Sequence, residues 1–253
     1  MLCIDLNSDM GESYGVYTLG YDEQAMPYVT SINVACGFHA SDPSNMLKTV
    51  KLAKKYGIGI GAHPAFPDLV GFGRRYMALS AEEIKADVIY QIGALWALCK
   101  SEGLTLQHVK VHGALYNAAE KDMTVATAIA QAIKAVDENL YMVCLGNSTM
   151  VRAAQDVGVK YVEEAFADRA YTREGTLVPR KQDGAVIHDV NAVAERVLSM
   201  VRDKTVIGID GSVVPISTQT ICVHGDTPGS VEMIKAIRKV LEQQGIQFKA
   251  FGK

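Results

Sequence analysis

An irregular (β/α) barrel of about seven parallel strands is the α/β fold that three features of the sequence predict. Short apolar runs alternate with longer helical patterns along the whole chain, as a parallel βα succession does. Polar residues recur at every second position inside several of these runs. The first run ends in DLNSDMGES, acidic and with one glycine, where an open doubly wound sheet would carry a glycine-rich phosphate loop; no GxxxxGK[ST] occurs either. With 253 residues, 49% hydrophobic and 21% charged, the chain suffices for one large core and reads as a single catalytic domain, 1–253.

The strands are expected at 2–8, 31–37, 58–62, 107–112, 141–145, 160–165 and 219–224. Helical patterns lie between them near 43–56, 80–101, 123–136, 149–157, 189–203 and 228–243. Asp42-Pro43 offers an N-cap followed by a proline suited to the first helical position, and Ser80 to Glu83 fits a capping box. The segment 205–217 breaks the rhythm: Asp210-Gly211 between two β-rich runs reads as a hairpin insertion with a two-residue turn.

A net charge of −3 supplies no basic field, so a nucleic-acid partner is not expected. No apolar stretch is long enough to span a bilayer, and Met1 leads to Asp5 rather than to a basic and apolar leader, which points to the cytoplasm. Five cysteines, odd in number and without a CxxC pair, read as buried free thiols.

Four of the six histidines, His39, His63, His112 and His224, sit where an apolar run meets a loop. Residues two apart share a strand face. That parity separates Ile4 and Leu6 from Cys3, Asp5, Asn7 and Asp9, and Val109 and Val111 from His108, Lys110 and His112. It likewise groups Asn33 with His39, Thr220 with Cys222, His224 and Asp226, and Gly59 and Gly61 beneath His63. Helices cover the outside of a barrel, so the apolar sets face them and the polar sets line the interior. Ordinary barrel interiors are packed branched apolar layers. Any one of these residues alone is equally a boundary histidine, a turn cap, or a structural partner such as Lys110 for Asp5. Repetition in one register on several strands points instead to a site at the C-terminal strand ends. Arg74-Arg75 reads as an anion loop or a solvated turn, and Asp168-Arg169 as a structural pair, with a functional role for Arg169 as the other reading.

The series DLNSDMGES, NVACGFHASDP, GAHPAFPDLVGFGRR, VKVHGALYN, EEAFADRAYTREGTLVPR and CVHGD, in order over nearly the whole chain, resembles the LamB/YcsF family. The one departure is Val111, where proline is expected. The resemblance implies a barrel of the glycoside hydrolase/deacetylase type and ATP-dependent opening of 5-oxo-L-proline to L-glutamate. It also implies partner subunits B and C, with ATP bound here or through them. The deacetylase side of that superfamily holds a divalent metal with one Asp and two His. Asp9, His39, His63 and His112 are the candidates here, although no HxxxH follows His63.

A five-membered lactam is a poor electrophile, and phosphorylating its oxygen activates it. Water delivery and protonation of the ring nitrogen then remain, tasks for carboxylates and imidazoles. The expected assignment gives water activation to Asp9 with His63 or His112, and proton handling to His224 with Asp226. Oxygen contacts fall to Lys110 and Asn7, and further substrate contacts to Asp5, Glu12, Asn33, His39 and Arg169. The alternatives are a metal-dependent small-molecule hydrolase that needs no partner, and a non-catalytic substrate-binding subunit.

Overall fold

The computed structural model describes residues 2–225 and 229–252. Seven parallel strands close into a barrel: β1 (Cys3–Met10), β2 (Ser31–Ala35), β3 (Gly59–His63), β4 (His108–Val109), β5 (Tyr141–Leu145), β6 (Lys160–Phe166) and β9 (Thr220–Cys222), which returns to β1. Between β6 and β9 an antiparallel pair, β7 (Thr205–Ile207) and β8 (Val213–Pro215), stands apart from the barrel. A short β10 (Gln247–Phe248), too brief to show periodicity in the sequence, pairs with the start of β1.

The helices are α1 (Asp22–Ala25), α2 (Pro43–Tyr56), α3 (Ala81–Ser101), α4 (Gly113–Ala119), α5 (Met123–Val136), α6 (Thr149–Val157), α7 (Val190–Arg202) and α8 (Ser230–Gln243). Asp42 caps α2 by accepting from the Ser44 and Asn45 backbone N–H groups, with Pro43 at the first position. Ser80 and Glu83 form a reciprocal capping box on α3. Among the described residues no helix is long and apolar enough to cross a membrane.

The outward strand residues Leu6, Ile32, Val34, Ile60, Ala62, Val109, Val111 and Ile221 are all buried beneath the helices and form one continuous core with them. Each large side chain so buried contributes about 1.5–3 kcal/mol. The apolar mass of this protein therefore lies between sheet and helices.

Four expectations require correction. The second strand ends at Ala35 rather than 37, because Gly37 adopts φ 93° and its N–H bonds back to Ala40 O, turning the chain. The fourth strand pairs on both sides only at His108–Val109; Lys110 and His112 keep bonds to Ala62 O and Pro64 O after β5 has diverged. Cys3, expected inside with Asp5, is exposed, because the first turn of β1 lies beneath the barrel alongside β10; the other four cysteines are buried and all five are free. The hairpin connection is Ile209-Asp210-Gly211, with Gly208 and Ser212 bonded across it and Gly211 at φ 84°. That is a turn followed by a left-handed residue rather than a two-residue turn.

Candidate active site

Side chains inside the barrel stack in polar layers. At the bottom, Asp5 accepts hydrogen bonds from Thr30, Ser31 and Thr220 hydroxyls. Burial pushes its carboxyl up to about 6 despite those donors. In the middle layer Asn7 Nδ2 donates to Thr220 Oγ1 (2.6 Å), and Asn33 Nδ2 donates to Asn7 Oδ1 and Asp9 Oδ1 (2.8 Å each). His108 Nε2 donates to Asn33 Oδ1 at 2.7 Å. Gly61 makes that possible: a Cβ there would lie 2.0 Å from His108 Nε2. The strand registers Asp9↔Asn33 and Gly61↔His108 bring these residues level.

The upper layer centres on Lys110, which is 2% exposed. Its Nζ lies 3.1 Å from Asp9 Oδ1, 2.6 Å from Glu164 Oε2, 3.0 Å from Cys222 Sγ and 5.0 Å from the Phe166 ring centroid. Burial works against the ammonium charge, but Asp9, Cys222 and Glu164 outweigh it and hold Lys110 well above its usual range. Burial also works against the Asp9 charge, and the His63 ring and Lys110 outweigh it, holding that carboxyl well below the carboxylate range. For Glu164 burial prevails over Lys110 and the carboxyl is raised. Lys110 thus has its donors committed to fixing the carboxylates.

Above this layer opens a cavity of about 570 Å³ whose lining includes Asp9, His63, Lys110, His112, Tyr116, Phe166, Arg169, Arg180 and His224. On its far wall His224 Nδ1 donates to Asp168 at 2.9 Å, and Arg180 Nη2 donates to His224 Nε2 at 2.6 Å. An arginine cannot accept, so His224 here is the Nδ1–H tautomer with its lone pair toward Arg180. Burial raises the Asp168 carboxyl, but His224 and Arg180 overcome this and the net shift is downward. Arg169, 5% exposed, donates to the backbone oxygens of Val178 (2.6 Å) and Ala185 (3.4 Å); burial and then the charge of Arg180 draw it down to about 10.

Beside Asp9, toward the end of β1, Glu12, His39, His63 and His112 gather with one potential ligand atom each, all within 4.8 Å of one another and all buried. This cluster could hold a metal ion. The His39 and His112 rings stack at 3.9 Å with 5° between their planes. Burial and neighbouring imidazoles push both well below the usual histidine range.

Of the residues singled out in the sequence, Asp9, His63, His112, Lys110, Arg169 and His224 reach the cavity wall. Asp5, Asn7 and Asn33 lie beneath it as the hydrogen-bonded ladder that sets Asp9, and Glu12 and His39 lie to one side. Asp226 falls outside the described residues. His39 arrives by the turn after β2 rather than along the strand. Lys110 partners Asp9 and Glu164, not Asp5, and Asp168 partners His224, not Arg169. Arg75 pairs with Asp68 at the surface, whereas Arg74 lines the cavity. Glu164, Asp168 and Arg180 were not singled out as site residues. Parity along 160–165 puts Glu163 and Glu164 on opposite faces without saying which of them turns inward; nothing periodic marks Asp168 or Arg180.

Residues 4–253 match the model of the LamB/YcsF family. Among relatives, the 5-oxoprolinase A-type subunit of Pyrococcus horikoshii is 54% identical over 244 residues, 96% of each chain. That of Acinetobacter baylyi is 52% identical over 248 residues, 98% of each chain. The crystal structure of a lactam utilization protein from Thermus thermophilus superposes with a TM-score of 0.95 at 49% identity, covering 99% of this chain and 100% of that one.

Proposed function

This chain belongs to the LamB/YcsF family, and from that membership we propose that it is the lactam-opening subunit of a cytoplasmic, ATP-dependent 5-oxoprolinase acting with subunits B and C. The lactam, ATP and two waters would yield L-glutamate, ADP and phosphate. The observation that carries this reading is the pairing across one cavity of an ionised carboxylate, Asp9, with the buried guanidinium of Arg169 and its neighbour Arg180. A 5-oxoproline molecule has one carboxylate and one neutral amide, and such a cavity suits both ends.

In this reading Arg169 and Arg180 hold the substrate carboxylate. That carboxylate competes with His224 for Arg180, so substrate binding uncovers His224 Nε2 beside the ring nitrogen. Asp168 keeps the imidazole oriented, and the uncovered His224 Nε2 takes up a proton from solvent and gives it to the departing ring nitrogen, which leaves as the amine. Asp9, with His63 Nε2 3.4 Å away, orients water toward the carbonyl carbon. Lys110, Asn33 and Asn7 act through Asp9 as positioning residues. ATP supplies the phosphoryl group that activates the lactam oxygen, and a sequence without a glycine-rich phosphate loop suits a nucleotide bound through the partners.

Reconstitution of the three purified subunits with ATP and 5-oxoproline tests this. Asp9→Asn is expected to cut glutamate formation by about 10²-fold or more while circular dichroism and subunit association stay unchanged. Near-normal turnover in that variant, or in a mixture lacking this chain, overturns the proposal.

A further inference from the structure

The hydrogen bonds of the histidine cluster leave two lone pairs facing each other. His63 Nδ1 lies 2.6 Å from the backbone oxygen of Lys110, and His112 Nε2 lies 2.9 Å from that of Phe72. A carbonyl oxygen only accepts, so each of these nitrogens carries the hydrogen. In a neutral ring the other nitrogen is then bare. Those bare atoms, His63 Nε2 and His112 Nδ1, stand 2.9 Å apart. Two lone pairs at that separation repel unless something positive lies between them.

Acceptors surround the same point. Glu12 Oε1 lies 4.0 Å from His112 Nδ1 and 3.5 Å from His39 Nε2, while Asp9 Oδ2 lies 3.4 Å from His63 Nε2. His39 is 1% exposed and neither of its ring nitrogens has a hydrogen-bond partner. A buried polar side chain left this way costs about 1–3 kcal/mol. A tetrahedral ion with bonds of about 2.0–2.1 Å spaces its ligand atoms about 3.3 Å apart, close to the separations found here.

We propose that Glu12, His63 and His112 bind a first-row divalent metal ion, zinc foremost, with His39 completing the cluster. Imidazole nitrogens with one carboxylate favour zinc, iron, cobalt or nickel over magnesium or calcium, which seek oxygen. The Lys110 and Phe72 carbonyls fix the tautomers as outer partners of metal-bound histidines do. Glu12, His63 and His112 are three donors, and the fourth tetrahedral place falls to His39. Once bound, the ion would supply Lewis-acid charge next to Asp9. The competing occupant is a proton shared by the two rings, with His63 as an imidazolium against Asp9.

The test uses the full chain without a histidine tag, purified without chelator. Elemental analysis is expected to find about one first-row ion per chain. Chelator should lower the midpoint of thermal unfolding and added zinc should restore it. Cobalt loading should give visible absorption of tetrahedral strength, and Glu12→Gln and His112→Ala should weaken metal binding by about 10-fold or more. The surface variant His188→Ala should bind as wild type does. Metal-free wild-type protein with no thermal response to zinc, iron, cobalt or nickel and no cobalt spectrum assigns the position to the proton and overturns the proposal. Undiminished binding in both cluster variants overturns it too. None of these readings involves substrate, so a chain that binds no metal by these tests yet still opens the lactam with its partners loses the metal site and leaves the proposed reaction standing.

Discussion

Replacing Lys110 by methionine removes the ammonium that Asp9 and Glu164 share at 3.1 and 2.6 Å. Each contact, at about 3 Å and an effective dielectric near 20, is worth about 5 kcal/mol of Coulomb energy. Methionine keeps most of the packing volume and supplies none of it. Entering water and proton uptake return part of the loss, leaving a net cost of about 3–5 kcal/mol at pH 7, the usual range when one partner of a buried pair is deleted. The pH dependence has a definite sign. Without Lys110 the Glu164 carboxyl, already raised by burial, rises further in the folded state, and a raised carboxyl stabilises below its unfolded pKa and loses that contribution as pH rises through the folded one. The wild-type Asp9, held low, loses stability only in acid. The gap between the proteins must therefore narrow toward pH 5. Urea unfolding from pH 5 to 8, extrapolated linearly, measures it. Adding Glu164→Gln to the variant should recover part of the loss by removing one uncompensated charge. A cost below about 1 kcal/mol, or one equal at pH 5 and 8, would refute the view that these charges are dry and coupled.

Gly61→Ala should cost about 2–4 kcal/mol in urea unfolding, because the new Cβ would sit 2.0 Å from His108 Nε2 and drive the ring off Asn33; unchanged stability would refute the close approach. The Asp5 carboxyl, raised from 3.8 to about 6, should contribute about 3 kcal/mol of stability below pH 4 that disappears as pH rises through 6. Asp5→Asn should remove that slope from a plot of urea midpoint against pH, and a slope that persists would place its origin elsewhere.

The interior was legible in the sequence because strand parity is an exact period of two, and polar residues at Asp5, Asn7 and Asp9 or at His108, Lys110 and His112 violate what a barrel core ordinarily contains. Parity names a face but no partner, so it left Asp5 open as a structural partner for Lys110 beside a role in oxygen contacts, whereas the strand stagger gives Lys110 to Asp9 and Glu164. Glu163 and Glu164 are adjacent on β6, and only one of two neighbouring acids can turn inward. Asp168 and Arg180 belong to the long connection before α7, where backbone bonds such as Ile187 N–H to Asp168 O set position and no periodicity exists to be read. His39 reached the correct neighbourhood through a glycine turn that the strand argument did not contain.

Beneath the barrel, β10 extends the sheet beside β1, and the chain following it lays the Phe251 ring 5.1 Å from His108, with Gln107 Nε2 donating to Phe251 O. During synthesis this segment leaves the ribosome after every residue whose underside it covers. Until it arrives, the His108 ring and the Gln107 amide lack their cover from below. The covering of the barrel floor is thus among the last steps in the making of the molecule, and a nascent chain halted before residue 247 would carry His108 and Gln107 without the partners that Phe251 gives them.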